Sequence, residues 1–79
     1  MRILIIDDDT ELCDLLTEYL EQEGFAVSAC HDAQQGLAAA LSGDHAFVSL
    51  DVMLPGFSGF VLLRQVRLSS PVPVLMLSA

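Results

Sequence analysis

The sequence predicts an α/β fold, a doubly wound parallel sheet with helices on both faces. Short apolar runs alternate along its 79 residues with segments of helical periodicity, in the order strand, helix, strand, helix, strand, helix, strand. Right-handed crossovers between parallel strands then fix the topology. Two of the apolar runs stop at aspartates, which would place acidic side chains at the carboxyl edge of the sheet.

The first half of the chain predicts two strand–helix units. Residues 2–6 are an unbroken apolar run, as expected of a strand buried on both faces. A helix is predicted over 10–23, capped by Asp9 or Thr10 and closed by Gly24. Its apolar residues repeat at the spacing of one helical face: Leu12, Leu15, Leu16, Tyr19 and Leu20. A second strand over 25–30 and an alanine-rich helix over 32–41 follow.

The second half predicts a third strand, a loop, a third helix and a fourth strand. The third strand covers 46–50 and ends at Asp51. Proline and glycine make 54–59 a loop, and a helix over 60–68 follows it. The fourth strand covers 74–77 and ends at Ser78.

Composition and charge narrow the classes of function. Hydrophobic residues make up 53% and the mean hydropathy is +0.57, although a chain this short buries only about 60% of its unfolded surface. We therefore expect strands covered on both faces, or surface that something else covers. No apolar stretch reaches the length of a membrane span and no secretory signal is evident, so a cytoplasmic location is predicted. A net charge of −8 without any lysine opposes direct nucleic-acid binding and fits a cation site or a basic protein partner.

Four other side chains with reactive or titratable groups suggest no site. Cys13 and Cys30 lie far apart without a metal-ligand grouping, which predicts reduced, packed thiols. His31 and His45 stand at element boundaries beside aspartates, and we interpret both as surface turn residues.

Aspartates follow two of the predicted strands. Asp7 and Asp8 come after the first strand and Asp51 after the third, so neighbouring parallel strands would bring them together. Alone, 7–9 could be a helix-capping acidic run and Asp51 a turn residue. Together, carboxylates this close would repel one another and have raised pKa values unless a cation neutralised them, and Mg²⁺ is the simplest occupant.

Such a site suggests phosphoryl-transfer chemistry. A carboxylate can attack phosphorus and form an aspartyl phosphate, while a metal neutralises charge on the transferring oxygens. Ser78 would bring a hydroxyl to the same edge, although a serine at this position is uninformative by itself.

Three stretches, 3–9, 50–59 and 73–79, resemble response-regulator receiver domains of two-component systems in content, order and spacing. The resemblance covers the whole chain. It is greatest to receivers of the winged-helix transcription factors, the OmpR/PhoB group, and within it to CpxR-type regulators. It implies the flavodoxin-like (CheY-like) fold, with strand order 2-1-3-4-5.

The resemblance also implies roles for individual residues. Asp51 is the phosphoacceptor and a metal ligand. Asp7 and Asp8 are the acidic pair that binds Mg²⁺, Asp8 directly, and the backbone carbonyl of Met53 completes the metal site. These four residues are the implied metal set.

The switch of the family maps to the end of the chain. Ser78 corresponds to the hydroxyl that moves toward the phosphoryl group, and Ala79 corresponds to the small residue beside it. The implied partner is a sensor histidine kinase, and DNA would be contacted only through a winged-helix output domain that this sequence lacks.

The sequence departs from the family pattern after the fourth strand. The pattern continues with a helix, a fifth strand carrying a lysine, and a last helix, whereas this chain stops at 79 and has no lysine. We expect 1–79 to be the N-terminal part of a receiver domain, as a fragment of a longer regulator or as a truncation. Its sheet would be incomplete, in the order 2-1-3-4, and its exposed fourth-strand edge would favour self-association.

Two other functions stay open from the residues. An aspartate-nucleophile phosphatase would typically show Asp-x-Asp after its first strand, whereas here the candidate nucleophile follows the third as Asp51-Val52-Met53. A non-phosphorylated interaction module would not need the acidic cluster. We predict a signalling module that phosphorylates and dephosphorylates itself and turns over no external substrate.

Overall fold

A computed structural model describes residues 1–78 of the chain. The strands are β1 (Arg2–Ile6), β2 (Ala26–Cys30), β3 (Phe47–Asp51), β4 (Met53–Leu54), β5 (Phe57–Ser58) and β6 (Val74–Leu77), and the helices are α1 (Thr10–Gln22), α2 (Ala33–Leu41) and α3 (Gly59–Arg67). The main sheet is parallel in the order β2-β1-β3-β6. This confirms the predicted order 2-1-3-4, with β6 as the predicted fourth strand. Ala79, to which the small-residue role was assigned, lies outside the described residues.

Element bounds agree with the sequence-based ones to within about two residues, with one addition. The segment predicted as a loop contains the short antiparallel hairpin of β4 and β5, in which Leu54 pairs with Phe57. Gly56 supplies the positive φ of +69° that its turn requires. Asp51 is the last residue of β3 and pairs with Leu77 of β6, rather than lying beyond the strand.

Side-chain caps fix where the helices begin. The Asp9 carboxylate accepts from the backbone N–H of Leu12 at 3.0 Å, and Asp32 caps α2 in the same way. The hydroxyl of Ser58 caps α3. Gly24, with φ +94°, lets the chain leave α1 as predicted.

Helices cover the two faces of the main sheet unequally. α2 and α3 cover one face, where the buried residues are Leu4, Ile6, Ala40, Val48, Leu50, Leu54, Leu62 and Val66. We call this the α2/α3 face. α1 alone packs on the other, the α1 face, whose buried residues are Ile3, Ile5 and Cys13.

The apolar face predicted for α1 is only partly a core face. Leu16 and Leu20 pack against the sheet, but Leu15 and Tyr19 are 66% and 60% exposed. Cys13, which the periodicity had not included, is the buried residue of the helix. The predicted stripe is wider than the strip of sheet that one helix covers, so its outer part faces solvent.

The cysteines and His31 have the surroundings predicted for them, whereas His45 does not. Cys13 and Cys30 are free and pack toward opposite faces of the sheet, which confirms reduced, packed thiols. His31 is exposed, as predicted. The expectation for His45 is wrong: its ring is half-buried, and neither ring nitrogen has a hydrogen-bond partner among the described residues. The ring lies beside a cavity at the amino end of β6, lined in part by Pro71 and Val72, and this position withdraws it from water.

None of the helices in 1–78 is both long and apolar enough to cross a bilayer.

Candidate functional site

The carboxyl ends of β1 and β3 bring three aspartates together. The strands are adjacent, with Ile6 opposite Leu50, so Asp7 leaves β1 beside the last residue of β3, Asp51. One carboxylate oxygen from each of Asp7, Asp8 and Asp51 lies within 4.8 Å of the other two. The structure thus forms the cluster that the positions of these aspartates at strand ends predicted.

Backbone contacts hold two of the three aspartates. Asp7 is only 8% exposed, and its N–H donates to the carbonyl of Cys30 at 3.0 Å. Its Oδ1 accepts from the backbone N–H of Asp9 at 2.9 Å. Asp51 Oδ1 accepts from the N–H of Met53 at 3.1 Å, which folds the following chain around the carboxylate.

Gly59 lets α3 approach the Asp51 segment closely. Its N–H donates to the carbonyl of Val52 at 2.7 Å. A Cβ at this position would overlap the backbone carbonyl of Asp51 and lie 2.9 Å from the Cα of Val52. The sequence indicated Gly59 only as part of a loop and of the resemblance, because close approach of two backbones leaves no periodic signal.

Burial and like charge act together on Asp7. Burial raises the pKa of its carboxyl, the Asp9 N–H opposes this, and the carboxylates of Asp51, Asp8 and Asp9 add to the rise. The ionised form of Asp7 is therefore destabilised in the folded chain, and a bound cation would relieve this.

The oxygen set fits Mg²⁺. With Mg–O distances of about 2.1 Å, ligand oxygens of one octahedral ion lie roughly 3 Å apart when adjacent and about 4.2 Å apart when opposite. Three oxygens that all lie within 4.8 Å of one another are close enough to ligate one such ion together. All three are carboxylate oxygens, the donors that Mg²⁺ prefers, and the exposure of Asp8 leaves room for waters.

Ser78 faces the same region as the aspartates, whereas the Met53 side chain lies apart from it. An open cavity of about 340 Å³ lies over the strand ends, lined by Asp7, Asp8, Asp9, Leu12, Asp51, Leu77 and Ser78. The Met53 side chain is 78% exposed and lines a separate cavity beside the hairpin, with Gly56 and Ser58. The metal role predicted for its backbone carbonyl stays a prediction.

Among residues 1–78, two of the arginines lie or bind away from the cluster. Arg2 begins β1 at the opposite edge of the sheet, and Arg67 on α3 donates from Nη1 to the carbonyl of Ser70 at 3.2 Å. The titratable nitrogen beside the cluster belongs to His31, whose Nδ1 lies 3.0 Å from the carbonyl oxygen of Asp7. Sequence reasoning missed this contact, since 24 residues separate its partners.

Residues 3–79 match the family described as response regulator receiver domain. Among curated relatives, the transcriptional regulatory protein CpxR of Klebsiella pneumoniae is 44% identical over 78 residues, and the uncharacterized transcriptional regulatory protein YkoG of Bacillus subtilis is 44% identical over 79. The alignments cover 99% of this chain but only 33% and 35% of those proteins. The chain thus spans about a third of the length of these relatives.

Solved structures show the same fold. A CheY-like receiver domain from Methanospirillum hungatei superposes with a TM-score of 0.92 at 33% identity, over 98% of this chain and 62% of that one. The response regulator TrrA of Thermotoga maritima, in complex with Mg²⁺-BeF, gives a TM-score of 0.89 at 30% identity, over 99% and 69%. TrrA in complex with the histidine kinase ThkA gives 0.88, over 99% and 68%.

The parallel sheet, the three aspartates at its carboxyl edge and a family match over nearly the whole chain agree with one another. This chain belongs to the response regulator receiver domains of two-component systems.

Proposed function

We propose that Asp51 is the phosphoacceptor and that Asp7, Asp8, Asp51 and the backbone carbonyl of Met53 hold Mg²⁺. The observation that carries this proposal is the convergence of the three carboxylates within 4.8 Å. The complex of TrrA with Mg²⁺-BeF, at 30% identity, supports the choice of metal. When bound, Mg²⁺ would offset the negative charge that the carboxylates and the phosphoryl oxygens bring together.

Asp51 supplies the nucleophile of the transfer. One carboxylate oxygen attacks phosphorus, the bond from phosphorus to the leaving nitrogen of a phosphohistidine breaks, and the leaving imidazole keeps the electron pair. The product is a mixed anhydride on Asp51. The Met53 N–H, which donates to Oδ1 at 3.1 Å, orients the carboxylate so that its other oxygen is the free nucleophile.

Ser78 is the proposed switch residue. It is exposed and lines the cavity that contains Asp51, so its hydroxyl needs only a local movement to donate to a phosphoryl oxygen. Such a movement would shift the population between an inactive and an active state of the chain.

The proposed partner is a sensor histidine kinase. The complex of TrrA with the kinase ThkA shows that a receiver of this fold docks on one. Both curated relatives above are transcriptional regulatory proteins, which supports a place in the winged-helix OmpR/PhoB group. DNA contact would then require an output domain outside this sequence.

A phosphorylation assay tests the assignment of Asp51. The chain is incubated with Mg²⁺ and acetyl phosphate, and its intact mass is measured at intervals. We expect the mass of one phosphoryl group to be added, and to be lost again in mild base. Asp51→Asn should remain unmodified, while the matched control Asp44→Asn, an exposed aspartate outside the cluster, should be modified like the wild type.

The same assay separates the two alternatives. Continuous phosphate release from several donors would favour a phosphatase. Failure of both this chain and a version extended to full receiver length would favour a non-phosphorylated interaction module. Modification of the extended version alone would implicate the strand that carries the lysine of the family pattern.

A further inference from the structure

The peptide group between Asp7 and Asp8 is held by side chains from two other elements. Its carbonyl oxygen, that of Asp7, lies 3.0 Å from Nδ1 of His31, which follows β2. The buried thiol of Cys13, on α1, approaches the same oxygen at 3.6 Å. The carbonyl of Cys30, next to His31, accepts from the Asp7 N–H. The start of the acidic turn is thus tied to both β2 and α1.

The chemistry of this contact determines where the proton of the imidazole sits. A carbonyl oxygen can only accept, so Nδ1 of His31 must carry the proton. In the neutral ring Nε2 is then unprotonated. The ring is exposed, so a hydrogen bond here is not required to compensate for burial.

Holding this carbonyl orients two metal-ligand candidates together. The peptide group is planar and links the Cα atoms of Asp7 and Asp8. The direction of its carbonyl therefore sets the backbone angle at which each carboxylate leaves the chain. Without the bond from His31, the Asp7 carbonyl oxygen would keep the contact with the Cys13 thiol, which is a weak donor.

We propose that His31 is a positioning residue of the metal site: its Nδ1–H holds the Asp7 carbonyl so that the Asp7 and Asp8 carboxylates converge on Asp51. The inference rests on the proposed function, because it concerns Mg²⁺ affinity at that site. Removing a residue that orients metal ligands typically weakens binding about 10- to 100-fold. Since His31 acts through the backbone, we expect the lower end, about tenfold.

Mg²⁺ titration of three variants tests the proposal at a pH where imidazole is neutral. His31→Ala should bind Mg²⁺ about tenfold more weakly than the wild type. His31→Asn should recover most of the affinity, because its amide N–H can take the place of Nδ1–H. The control Gln34→Ala, an exposed position on the first turn of α2, should bind like the wild type. Thermal unfolding without Mg²⁺ shows whether each variant folds.

A long-range ¹H–¹⁵N spectrum of the wild-type chain tests the bond itself, even if a variant fails to fold. In the neutral ring, His31 should show a protonated Nδ1 and an unprotonated Nε2. An Nδ1 without a proton would overturn the proposal, and so would a folded His31→Ala chain with wild-type Mg²⁺ affinity. A wild-type chain that binds no Mg²⁺ would instead refute the metal site, and the positioning role with it, whatever the tautomer.

Discussion

The two faces of the main sheet differ in how completely helices cover them. β1 contributes equally to both, with Leu4 and Ile6 on the α2/α3 face and Ile3 and Ile5 on the α1 face. Yet among the described residues the α2/α3 face has eight buried hydrophobic residues and the α1 face has three. β1 therefore has a well-covered α2/α3 face on one side and a less covered α1 face on the other.

This difference shows which parts of the fold hold the site. β1 and β3 are adjacent central strands, with Ile3–Ile6 buried in β1 and Val48 and Leu50 buried in β3, so the ends that carry Asp7 and Asp51 are fixed by the sheet. From α1, the Cys13 thiol contacts the Asp7 carbonyl and Leu12 lines the cavity over the cluster. The site should consequently tolerate changes on the α1 face better than changes on the α2/α3 face.

The largest effect is expected from Leu62→Ala on α3. Leu62 is completely buried on the α2/α3 face, and truncating such a leucine costs about 2–5 kcal/mol. That is comparable to the whole free energy of unfolding of a small domain. We expect urea denaturation to show a largely unfolded chain. Leu16→Ala, at a half-buried position of the α1 face, should cost about 1–2 kcal/mol and leave a cooperative transition. Equal losses of stability in the two variants would contradict the difference between the two faces.

The two cysteine thiols lie on opposite faces of the sheet, so their ionisation at alkaline pH tests both faces. Burial raises the pKa of Cys13, on the α1 face, from 9.0 to about 11, with nearby carboxylates adding to the rise. Above pH 9 the Cys13 thiol ionises in the unfolded chain but stays protonated in the folded one. The free energy of unfolding should therefore fall by about 2–3 kcal/mol as the pH rises from 9 through about 11.

Variants isolate that alkaline loss. Cys13→Ala should remove most of it in denaturant titrations between pH 8 and about 11. Cys30→Ala, on the α2/α3 face, should remove some of it, since the pKa of Cys30 is also raised by burial. An alkaline loss unchanged in Cys13→Ala would show that its thiol is not the buried group that the structure describes.

A smaller effect on stability, at acidic rather than alkaline pH, is expected at Asp7, which follows β1 at the site. Its raised pKa means that the folded chain holds a proton that the unfolded chain loses near 3.8. Without metal, stability should therefore fall as pH rises from about 3.8 through the raised pKa. Asp7→Asn should remove this fall and gain stability at neutral pH.

The same variant tests the metal. Added Mg²⁺ should raise the melting temperature of the wild-type chain, because it binds the folded state, but not that of Asp7→Asn. Glu21→Gln, which removes a charge from the exposed side of α1, is the matched control and should respond to Mg²⁺ as the wild type does.

Much of the fold followed from local patterns. The unbroken apolar runs predicted β1 and β6 with their observed bounds. β1 is buried between layers, as such a run indicates, whereas β6 is a half-buried edge strand. The positions of Asp7 and Asp51 at strand ends were enough to predict the cluster. Helical periodicity was less informative for α1, since it shows which residues share a face but not how much of that face a sheet covers.

Contacts between distant residues could not be read from patterns. The His31 bond to Asp7 and the close approach of Gly59 to Val52 depend on how elements pack. His45 was predicted to be a surface residue because it follows Asp44 in a turn, yet the ring turns inward beside Val72. The roles of Met53 and Ser78 came from the resemblance and stay predictions.

The smallest effect on stability is expected at β6, the strand at the open edge of the sheet. The N–H groups of Val48 in β3 and of Val52, which follows β3, donate to the carbonyls of Pro73 and Leu77. The backbone groups of the intervening Val74 and Met76 therefore point outward along the open edge. Val74 and Met76 pack toward the α2/α3 face, and Leu75 alternates onto the α1 face, where it is 51% exposed.

An unpaired edge beside exposed leucine should make this chain associate with itself at high concentration. Leu75→Lys should reduce that association in sedimentation velocity while changing the free energy of unfolding by no more than about 0.5 kcal/mol. Gln65→Lys places the same charge on exposed α3 and should leave association unchanged, because it lies away from the β6 edge. If both lysines reduced association equally, net charge rather than the β6 edge would control it. If the wild type stayed monomeric at every concentration, the open side of the sheet would not be a binding surface for a second copy.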